Sequence, residues 1–388
     1  MKRLLAAALF CVASAALAQQ PVKIGLILSY TGQFADAATQ MDNAIKLYVK
    51  EHGDSVAGRK IEFIRRDTGG VAPDVAKRHA QELVVRDHVD ILAGFVLTPN
   101  ALAAADVSAE AKKFMVVMNA ATAIITTKSP YIARTSLTTP QINESLGTWA
   151  AKKAGIKKVY TMVSDYGPGI DAEGAFQRGF KEAGGELTGS VRIPVANPDF
   201  FPFVQRAKDL NPEAIYIFIP GGAQPAAFGK ALVDLGIDTK KTRILGQGEL
   251  TEENALRVMG DAALGLVTAL HYDHGHKSAA NERFVAAYNA AYGRNPDFFS
   301  VGGWDGMHLI YESLKKTGGK TEAESLVAAA KGMRWESPRG PIAIDPETRD
   351  IIQTVYIRRV EKVGGKLLNV EIDKIENVKD PVKERMKK

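Results

Sequence analysis

Residues 89–122 read VDILAGFVLTPNALAAADVSAEAKKFMVVMNAAT, and this stretch decides the fold class. Two nearly apolar runs, residues 90–95 and 114–118, enclose a segment in which Thr98-Pro99-Asn100 opens a helix. Strands that are covered on both faces are apolar along their whole length, whereas strands with one solvated face alternate. The stretch therefore predicts a strand, a helix and a second parallel strand, joined by a right-handed crossover.

The same rhythm extends along most of the chain. Further strand candidates lie at residues 23–29, 61–66, 158–164, 214–219, 243–245 and 264–270. Helix candidates lie at residues 36–52, 73–87, 140–154, 170–183, 223–235, 279–292 and 302–316, followed by β-rich sequence from 341 to 375. The alternation predicts an α/β protein with parallel-type sheets. The polar, extended segment 133–140 interrupts it and marks the passage from one α/β lobe to a second.

The length and composition fit this architecture. The chain has 388 residues, of which 46% are apolar and 24% charged, so disorder is excluded as its main state. At about 100 to 200 residues per domain, the length suggests two domains. The net charge of +6 arises from interleaved acidic and basic residues, which gives no reason to expect a nucleic-acid partner. The single cysteine, Cys11, excludes a disulfide framework and a cysteine-based metal site.

The first 18 residues are typical of a secretory signal peptide. A basic start precedes an apolar run at residues 4–16, and Ala16-Leu17-Ala18 is a small-x-small cleavage site. This run is too short to cross a bilayer, which takes about 20 apolar residues. We expect cleavage after Ala18, which leaves 370 residues with a net charge of +4 and no cysteine.

Sequence motifs of catalysis are missing. The chain contains no Walker phosphate loop, no GxGxxG after the first strand, no HExxH and no GxSxG. The segment 271–276, HYDHGH, has the residue types of a zinc site but lacks two histidines at helical i, i+4 spacing. We therefore expect no enzyme, no cofactor and no bound metal, and we interpret residues 271–276 as a solvated or hinge-lining loop. The basic tail, residues 377–388, is expected to be a frayed and solvated terminus.

Polar and small residues follow the strands at the ends where open α/β sheets bind ligands. Thr98 opens a helix after one strand, and Asn119-Ala120-Ala121-Thr122 follows the next. A helix start offers unpaired N–H groups and about half a positive charge, which suits a carboxylate. Plain N-capping would explain Thr98 alone, but two such strand ends side by side favour a binding site. In the second half, Tyr166 and Gly221 lie in loops that close two more strands.

Taken together, these features resemble the periplasmic solute-binding proteins of ABC importers, of the branched-chain amino-acid-binding type. Matching segments include KIGLILSYTGQFA (23–35), KIEFIRRDTGGVAPDVAKRHAQELV (60–84), VDILAGFVLTPNALA (89–103), YIARTS (131–136), SDYGPG (164–169) and FVAAYNAAYGRNPDFFSVGGWDG (284–306). Each segment alone is a weak signal, whereas their order and spacing along nearly the whole mature chain make a strong one.

The resemblance implies a type I periplasmic binding protein fold. In that fold two Rossmann-like α/β lobes are joined by three crossover strands and close on a ligand by a hinge motion. We assign residues 19–138 and 271–345 to the N-terminal lobe, and residues 139–270 and 346–376 to the C-terminal lobe. The resemblance also implies a periplasmic location, a membrane permease and an ATPase as partners, and we expect a monomer.

The resemblance further implies a ligand site. The carboxylate-binding hydroxyl of the family falls on Thr98, and its alanine and threonine after the fourth strand fall on Ala120 and Thr122. Its aromatic residue at the start of the second lobe falls on Tyr166. Further candidates beside or at the remaining family positions are Phe34, Ala37, Gly221, Gln247, Gly248 and Glu249.

Three of these positions depart from the family pattern and bear on the ligand. The family has an aromatic residue near position 37, where this chain has Ala37. It has another directly before Gly221, where this chain has Pro220. We expect the loss of two aromatic side chains to enlarge the pocket. The acidic residue that in the family commonly binds the ammonium group of the ligand falls on Gly248. The nearest acidic residue, Glu249, is one position later. A buried ammonium needs a counter-charge, so we expect an aromatic or other bulky carboxylic acid, such as a benzoate or phenylpropenoid derivative. Glu249 in the pocket would instead favour a branched-chain or other amino acid.

Two other classes of protein compete with this reading. A soluble ligand-sensor domain of the same fold would carry a membrane span or an output domain, and the sequence has neither. An exported α/β hydrolase would need a nucleophile elbow, which is missing too.

Overall fold

The structure is a computed structural model, and it describes residues 20–221 and 223–387. The predicted signal peptide, residues 1–18, lies outside the described residues. Within the described ranges, no helix is at once long enough and apolar enough to cross a membrane.

Strands and helices alternate along most of the described chain. The strands are β1 (Val22–Leu28), β2 (Ser55–Val56), β3 (Arg59–Asp67), β4 (Ile91–Gly94), β5 (Phe114–Val117), β6 (Ile132–Arg134), β7 (Lys158–Ser164), β8 (Glu186–Ile193), β9 (Ala214–Phe218), β10 (Arg243–Gln247), β11 (Val267–Leu270), β12 (Arg334–Ser337), β13 (Gly340–Ile344), β14 (Ile351–Val363) and β15 (Lys366–Val378). The helices are α1 (Ala35–His52), α2 (Pro73–Val85), α3 (Thr98–Glu110), α4 (Thr139–Lys152), α5 (Gly167–Glu182), α6 (Phe201–Asp209), α7 (Gln224–Asp234), α8 (Glu253–Met259), α9 (Ala279–Tyr292), α10 (Phe298–Lys316), α11 (Ala323–Ala330) and α12 (Pro381–Met386).

The first lobe is built on a six-stranded sheet with the order β2-β3-β1-β4-β5-β6. Its strands are parallel except for the antiparallel pair β2 and β3. The central strands β4 and β5 are buried at every position, because α10 and other helices cover the sheet. Full burial explains why their sequences are apolar throughout rather than alternating.

The second lobe is built on a sheet with the order β12-β13-β14-β11-β10-β9-β7-β8, and β15 also pairs with β14. All pairs among strands β7 to β11 are parallel. All pairs that involve β12, β13, β14 or β15 are antiparallel. Mixed α/β architecture with parallel-dominated sheets in two lobes confirms the fold class predicted from the sequence.

The chain passes between the lobes three times: after β6, after β11 and before β12. Strands β12 and β13 touch both lobes at the last passage. They pair with each other and with β14, yet Trp335 of β12 donates a hydrogen bond to Asp305 of α10 at 3.0 Å. The residue bounds proposed above for the two lobes stay a prediction.

The differences from the predicted elements have local causes. Strand β8 was missed because it is largely half-buried or exposed and its sequence, ELTGSVRI, is correspondingly mixed. Helix α10 begins at Phe298 rather than 302, because Asp297 and Ser300 form a capping box. Strand β11 begins only at Val267, after a turn in which Gly265 has a φ of +82°.

The expectation of a frayed, solvated tail is wrong. Asp380 caps α12 by accepting hydrogen bonds from the N–H groups of Val382 and Lys383 at 2.8 and 3.0 Å. Lys383 is only 6% exposed, and its ammonium group contacts the buried carboxylate of Asp350 and the hydroxyl of Thr126. The tail is therefore anchored because one of its lysines is the partner of a buried acid.

The loop at residues 271–276 follows β11 at the second crossover, and it is buried at residues 271–273 but partly exposed at residues 274–276. His271 and Tyr272 are fully buried, and the His271 ring lies edge-on to Phe298 at 6.2 Å between centroids. Burial, together with nearby arginines, holds the pKa of His271 well below its usual value. His276 pairs with Glu371 at 2.9 Å, whereas neither ring nitrogen of His271 has a hydrogen-bond partner among the described residues.

Candidate ligand-binding site

A cavity of about 150 Å³ lies between the lobes, at the carboxyl ends of strands from both sheets. Its lining is mainly apolar and aromatic, and no lysine, arginine or histidine is among the described residues that line it. The lining residues are Gln33, Phe34, Asp36, Ala37, Val71, Val96, Leu97, Thr98, Pro99, Asn119, Ala121, Tyr166, Pro168, Val195, Phe218, Pro220, Gly221, Gln247, Glu249, Glu252, Phe298 and Phe299. An anion in this cavity would have to be held by neutral donors.

The structure brings most of the residues predicted from the sequence to this cavity. Those that line it are Phe34, Ala37, Thr98, Tyr166, Gly221, Gln247 and Glu249. Ala120, Thr122 and Gly248 are buried beside it and are not among the lining residues. A direct role of any of these residues in ligand binding stays a prediction.

The first-lobe end of the cavity carries a hydroxyl that is free to donate. Thr98 is the first residue of α3, which follows β4. Thr122 lies in the segment after β5, and β5 is next to β4 in the sheet. The Thr122 hydroxyl donates to Thr98 Oγ1 at 3.1 Å, and the Thr122 N–H approaches the same oxygen at 3.4 Å. With Oγ1 of Thr98 accepting these bonds, its own hydrogen remains available to a ligand in the cavity.

A buried arginine holds the loop that follows β5. The Arg134 guanidinium donates to the carbonyl oxygens of Ala120 and Thr122 at 3.0 and 2.9 Å, and it pairs with Asp350 at 2.8 Å. Asp350 is also the partner of Lys383 in α12. The first-lobe end of the site is thus linked by a chain of buried charges to the segment before β14 and to the C-terminal helix.

The second-lobe end carries a carboxyl group held by an amide. Gln247 donates from Nε2 to both carboxyl oxygens of Glu249, at 2.9 and 2.8 Å. Gln247 is itself oriented, since its Oε1 accepts from Asn143 at 2.6 Å and Asn143 accepts from the Tyr216 hydroxyl at 2.6 Å. Burial raises the pKa of the Glu249 carboxyl. Glu249 therefore presents acceptor capacity to the cavity in a fixed orientation.

Of the two alternatives that the sequence leaves open for Glu249, the structure has the one in which this residue lines the cavity. A Cβ atom at Gly248 would lie 2.5 Å from the Leu270 side chain and 2.6 Å from Arg358 Nη2, so no side chain fits at this position. Glu249, one residue later, lines the cavity instead. The glycine accommodates the packed arginine, and the acid reaches the pocket from the adjacent position.

Aromatic side chains form the walls between the two ends. The rings of Tyr166 and Phe218 lie 6.4 Å apart in the second lobe, and those of Phe298 and Phe299 lie 3.9 Å apart at the start of α10. Phe218, Phe298 and Phe299 are not among the site candidates that the sequence indicates. Phe218 ends an apolar strand, and such a residue is expected in the hydrophobic core. Phe298 and Phe299 lie before residue 302, where the helix is predicted to start. The Phe-Phe pair before a glycine-rich helix was the available signal.

The chain matches known proteins along almost its whole length. The family model described as periplasmic binding protein matches residues 21–366. A relative from Brucella melitensis biotype 1, named Leu/Ile/Val-binding protein homolog 6, is 44% identical over 382 residues, which is 97% of this chain and 97% of the relative.

Two crystal structures of solute-binding proteins of ABC transporters are also similar. One, from Rhodopseudomonas palustris BisB5 in complex with 3,4-dihydroxybenzoic acid, is 53% identical with a TM-score of 0.90, over 94% of this chain and 99% of that chain. The other, from Rhodopseudomonas palustris HaA2 in complex with p-hydroxybenzoic acid, is 42% identical with a TM-score of 0.90, over 93% of this chain and 99% of that chain.

Proposed function

Because the chain belongs to the periplasmic binding protein family, as a solute-binding protein of an ABC transporter, we propose that it captures a hydroxylated aromatic acid in the interlobe cleft. The observation that carries the proposal is the make-up of the cavity. It has a hydroxyl donor at one end, aromatic walls, and a carboxyl acceptor at the other end.

The ligand's carboxylate is assigned to the first-lobe end. Thr98 can donate its hydroxyl hydrogen there, and the start of α3 adds about half a positive charge. Since no basic side chain is among the described lining residues, neutral donors have to supply the binding energy. A helix start with a free hydroxyl is a common way to hold an anion without a full counter-charge.

The ring is assigned to the aromatic middle of the cavity. An apolar cavity of about 150 Å³ in another protein accepts benzene, so this volume suits a single aromatic ring. Tyr166 and Phe218 on one lobe and Phe298 at the start of α10 offer flat apolar surfaces. Rings pack against such surfaces in offset or edge-to-face arrangements, which add to the gain from burial.

A ring hydroxyl is assigned to Glu249. Its carboxyl group receives one amide from Gln247 and retains further acceptor positions. A phenolic hydroxyl can donate to one of them, and hydrogen bonds to charged groups are stronger than those between neutral groups. Two of the similar structures contain acids of this class, namely 3,4-dihydroxybenzoic acid and p-hydroxybenzoic acid.

A branched-chain amino acid is the second candidate ligand. Glu249 in the pocket could pair with an α-ammonium group, and the Brucella relative is named a Leu/Ile/Val-binding protein homolog. The aromatic walls favour the aromatic acid, because an aliphatic side chain leaves the flat ring surfaces without a matching partner.

A thermal-shift screen of the ligand-free mature protein separates the two classes. The acids to compare are 4-hydroxybenzoate, 3,4-dihydroxybenzoate and benzoate, against leucine and valine. A ligand at 100 times its Kd stabilises the protein by about 2.7 kcal/mol, which gives a clear rise in Tm. We expect stabilisation by the hydroxybenzoates. Stabilisation by leucine or valine, with none by the aromatic acids, would contradict the proposal.

The wider role follows from the family. We propose that the mature protein acts in the periplasm as a monomer, and that it delivers its ligand to a membrane permease driven by an ATPase. The lobes are proposed as residues 19–138 with 271–345 and residues 139–270 with 346–376. No turnover of ligand is expected, since the related proteins are binding proteins of transporters.

A further inference from the structure

Three carboxyl groups from both lobes meet at the mouth of the cleft. Asp36 in the first turn of α1 and Asp297 at the N-cap of α10 belong to the first lobe, whereas Glu252 follows β10 in the second. Each of the three carboxyl groups contributes one oxygen atom, and these three atoms all lie within 4.8 Å of one another. Asp36 and Glu252 also line the ligand cavity. Because the residues belong to different lobes, we take this arrangement, in which they meet, as the closed form of the cleft.

Asp297 is the buried member of this group, which we call the interlobe carboxyl trio. It is 7% exposed, and its Oδ1 accepts a hydrogen bond from the Ser300 N–H at 3.0 Å. Its Oδ2 has no hydrogen-bond partner in the described part of the chain. A buried carboxylate oxygen without a donor is costly, whereas one proton shared between two carboxyl groups supplies a donor.

The two arginines with known partners near the trio are each paired with an aspartate. Arg294 binds both oxygens of Asp36, at 2.6 and 3.2 Å, which leaves Glu252 and Asp297 to other partners. Arg358 lines a small cavity next to Glu252 and Asp297 but pairs with Asp273 at 3.4 Å. Other titratable groups near the trio are Glu249, Glu253, Arg257, Tyr272, Asp273, His274 and Tyr288.

The surroundings favour the protonated forms. Burial, and then the charges of Asp297 and Asp36, raises the pKa of Glu252 to about 8. Burial is also the main reason that the pKa of Asp297 is raised to about 7. An isolated glutamate in water has a pKa of about 4.3 and is fully ionised at neutral pH.

We propose that Asp36, Glu252 and Asp297 form an interlobe proton-binding site, so that the protein takes up a proton when its cleft closes on an anionic ligand. The proton adds to one carboxylate of the trio, Glu252 or Asp297, and makes it a hydrogen-bond donor to its neighbour. In the open cleft Glu252 is separated from the first lobe and releases that proton. The inference rests on the proposed function, because the carboxylate ligand drives the closure.

The sign of the pH dependence follows from linkage. The carboxyl pKa is raised in the closed form, so closure is fully favoured below about pH 4.3, the ordinary value. This advantage is lost as the pH rises through about 8, the pKa of Glu252 in the closed form. Within that window, the uptake of one proton weakens ligand binding up to about tenfold for each unit of rising pH.

Isothermal titration calorimetry with 4-hydroxybenzoate tests the proposal. Titrations at pH 5.5 to 8 in buffers with different heats of ionisation give both Kd and the number of protons bound. We expect about one proton per ligand near pH 6.5, with Kd rising up to about tenfold per pH unit. Glu252→Gln should abolish the uptake and flatten the pH profile. Glu51→Gln, at an exposed position far along α1, should behave as the wild type.

Several results would overturn the proposal. A Kd independent of pH, or an uptake that persists when Glu252→Gln and Asp297→Asn are combined, would remove the trio as the proton site. Binding of calcium chloride that Glu252→Gln abolishes would make the trio a cation site instead. If none of the acids binds, the proposed function fails, and small-angle scattering of the ligand-free protein decides the inference. Contraction between pH 8 and 5.5 in the wild type but not in Glu252→Gln supports it, and no contraction overturns it.

Discussion

Glu249 and Gly248 show how much of the candidate site depends on one residue's placement. The residue types at 247–249 are readable from the sequence, and they leave open whether this end of the pocket carries a carboxyl group. The sequence could not tell whether Glu249 faces the cavity, because that depends on Leu270 and Arg358 occupying the space beside Gly248. The packing of distant residues thus decided the chemistry of this end of the pocket.

Replacing Glu249 by glutamine should reduce affinity for hydroxylated ligands selectively. The single amide oxygen of the variant would accept from Gln247, which leaves no carboxylate acceptor for a ring hydroxyl. We expect 4-hydroxybenzoate to bind more weakly by about 1.5 to 3 kcal/mol, as measured by calorimetry. Benzoate lacks the hydroxyl and serves as the internal control, so its affinity should change little. An equal loss for both acids would show that Glu249 acts on the whole pocket.

Helix α12 is the element for which the expectation from the sequence differs most from the structure. Lysine-rich termini are usually solvated, and nothing local in residues 377–388 distinguishes Lys383 from its neighbours. The difference is the carboxylate of Asp350, which lies directly before β14 and also holds Arg134. By contrast, elements whose signal is an apolar run, such as β4 and β5, were predicted within one or two residues.

Replacing Lys383 by methionine should destabilise the protein. The change leaves one oxygen of the buried Asp350 carboxylate without its ammonium donor, which costs about 1 to 3 kcal/mol. Urea unfolding followed by circular dichroism measures the loss. The matched control is Lys387→Met, since Lys387 is exposed and its ion pairs with Glu347 and Glu384 lie at the surface. Surface pairs of this kind contribute at most about 1 kcal/mol. Equal unfolding midpoints for the two variants would contradict the anchoring role of Lys383.

At the scale of the whole molecule, the cleft lies between two lobes that the chain joins three times, and the proposed function requires the cleft to close. The ligand cavity and the interlobe carboxyl trio both draw residues from the two lobes. Neither is complete within one lobe, so the proposed capture of a ligand and the proposed uptake of a proton both require the two lobes to come together. Cys11 is the only cysteine in the sequence, so no disulfide within the chain can tie the two lobes together.

Export should remove the first 18 residues. The small-x-small pattern at residues 16–18 predicts a mature protein that begins at Gln19. Intact-mass measurement of protein from the periplasmic fraction of an expressing bacterium checks this. A mass that corresponds to the full 388 residues in that fraction would contradict cleavage, and a variant with Ala18→Leu should retain the leader.

The sequence by itself determined the α/β class, the order of most elements and the residue types available at the ends of the strands. These are local properties, because apolar runs, helical periods and turn residues are written in neighbouring positions. Only the tertiary structure decided that Glu249 lines the cavity, that Lys383 is buried, and that Glu252 meets Asp36 and Asp297. Each of these depends on side chains that are distant in the chain and adjacent in space, and no local pattern contains that information.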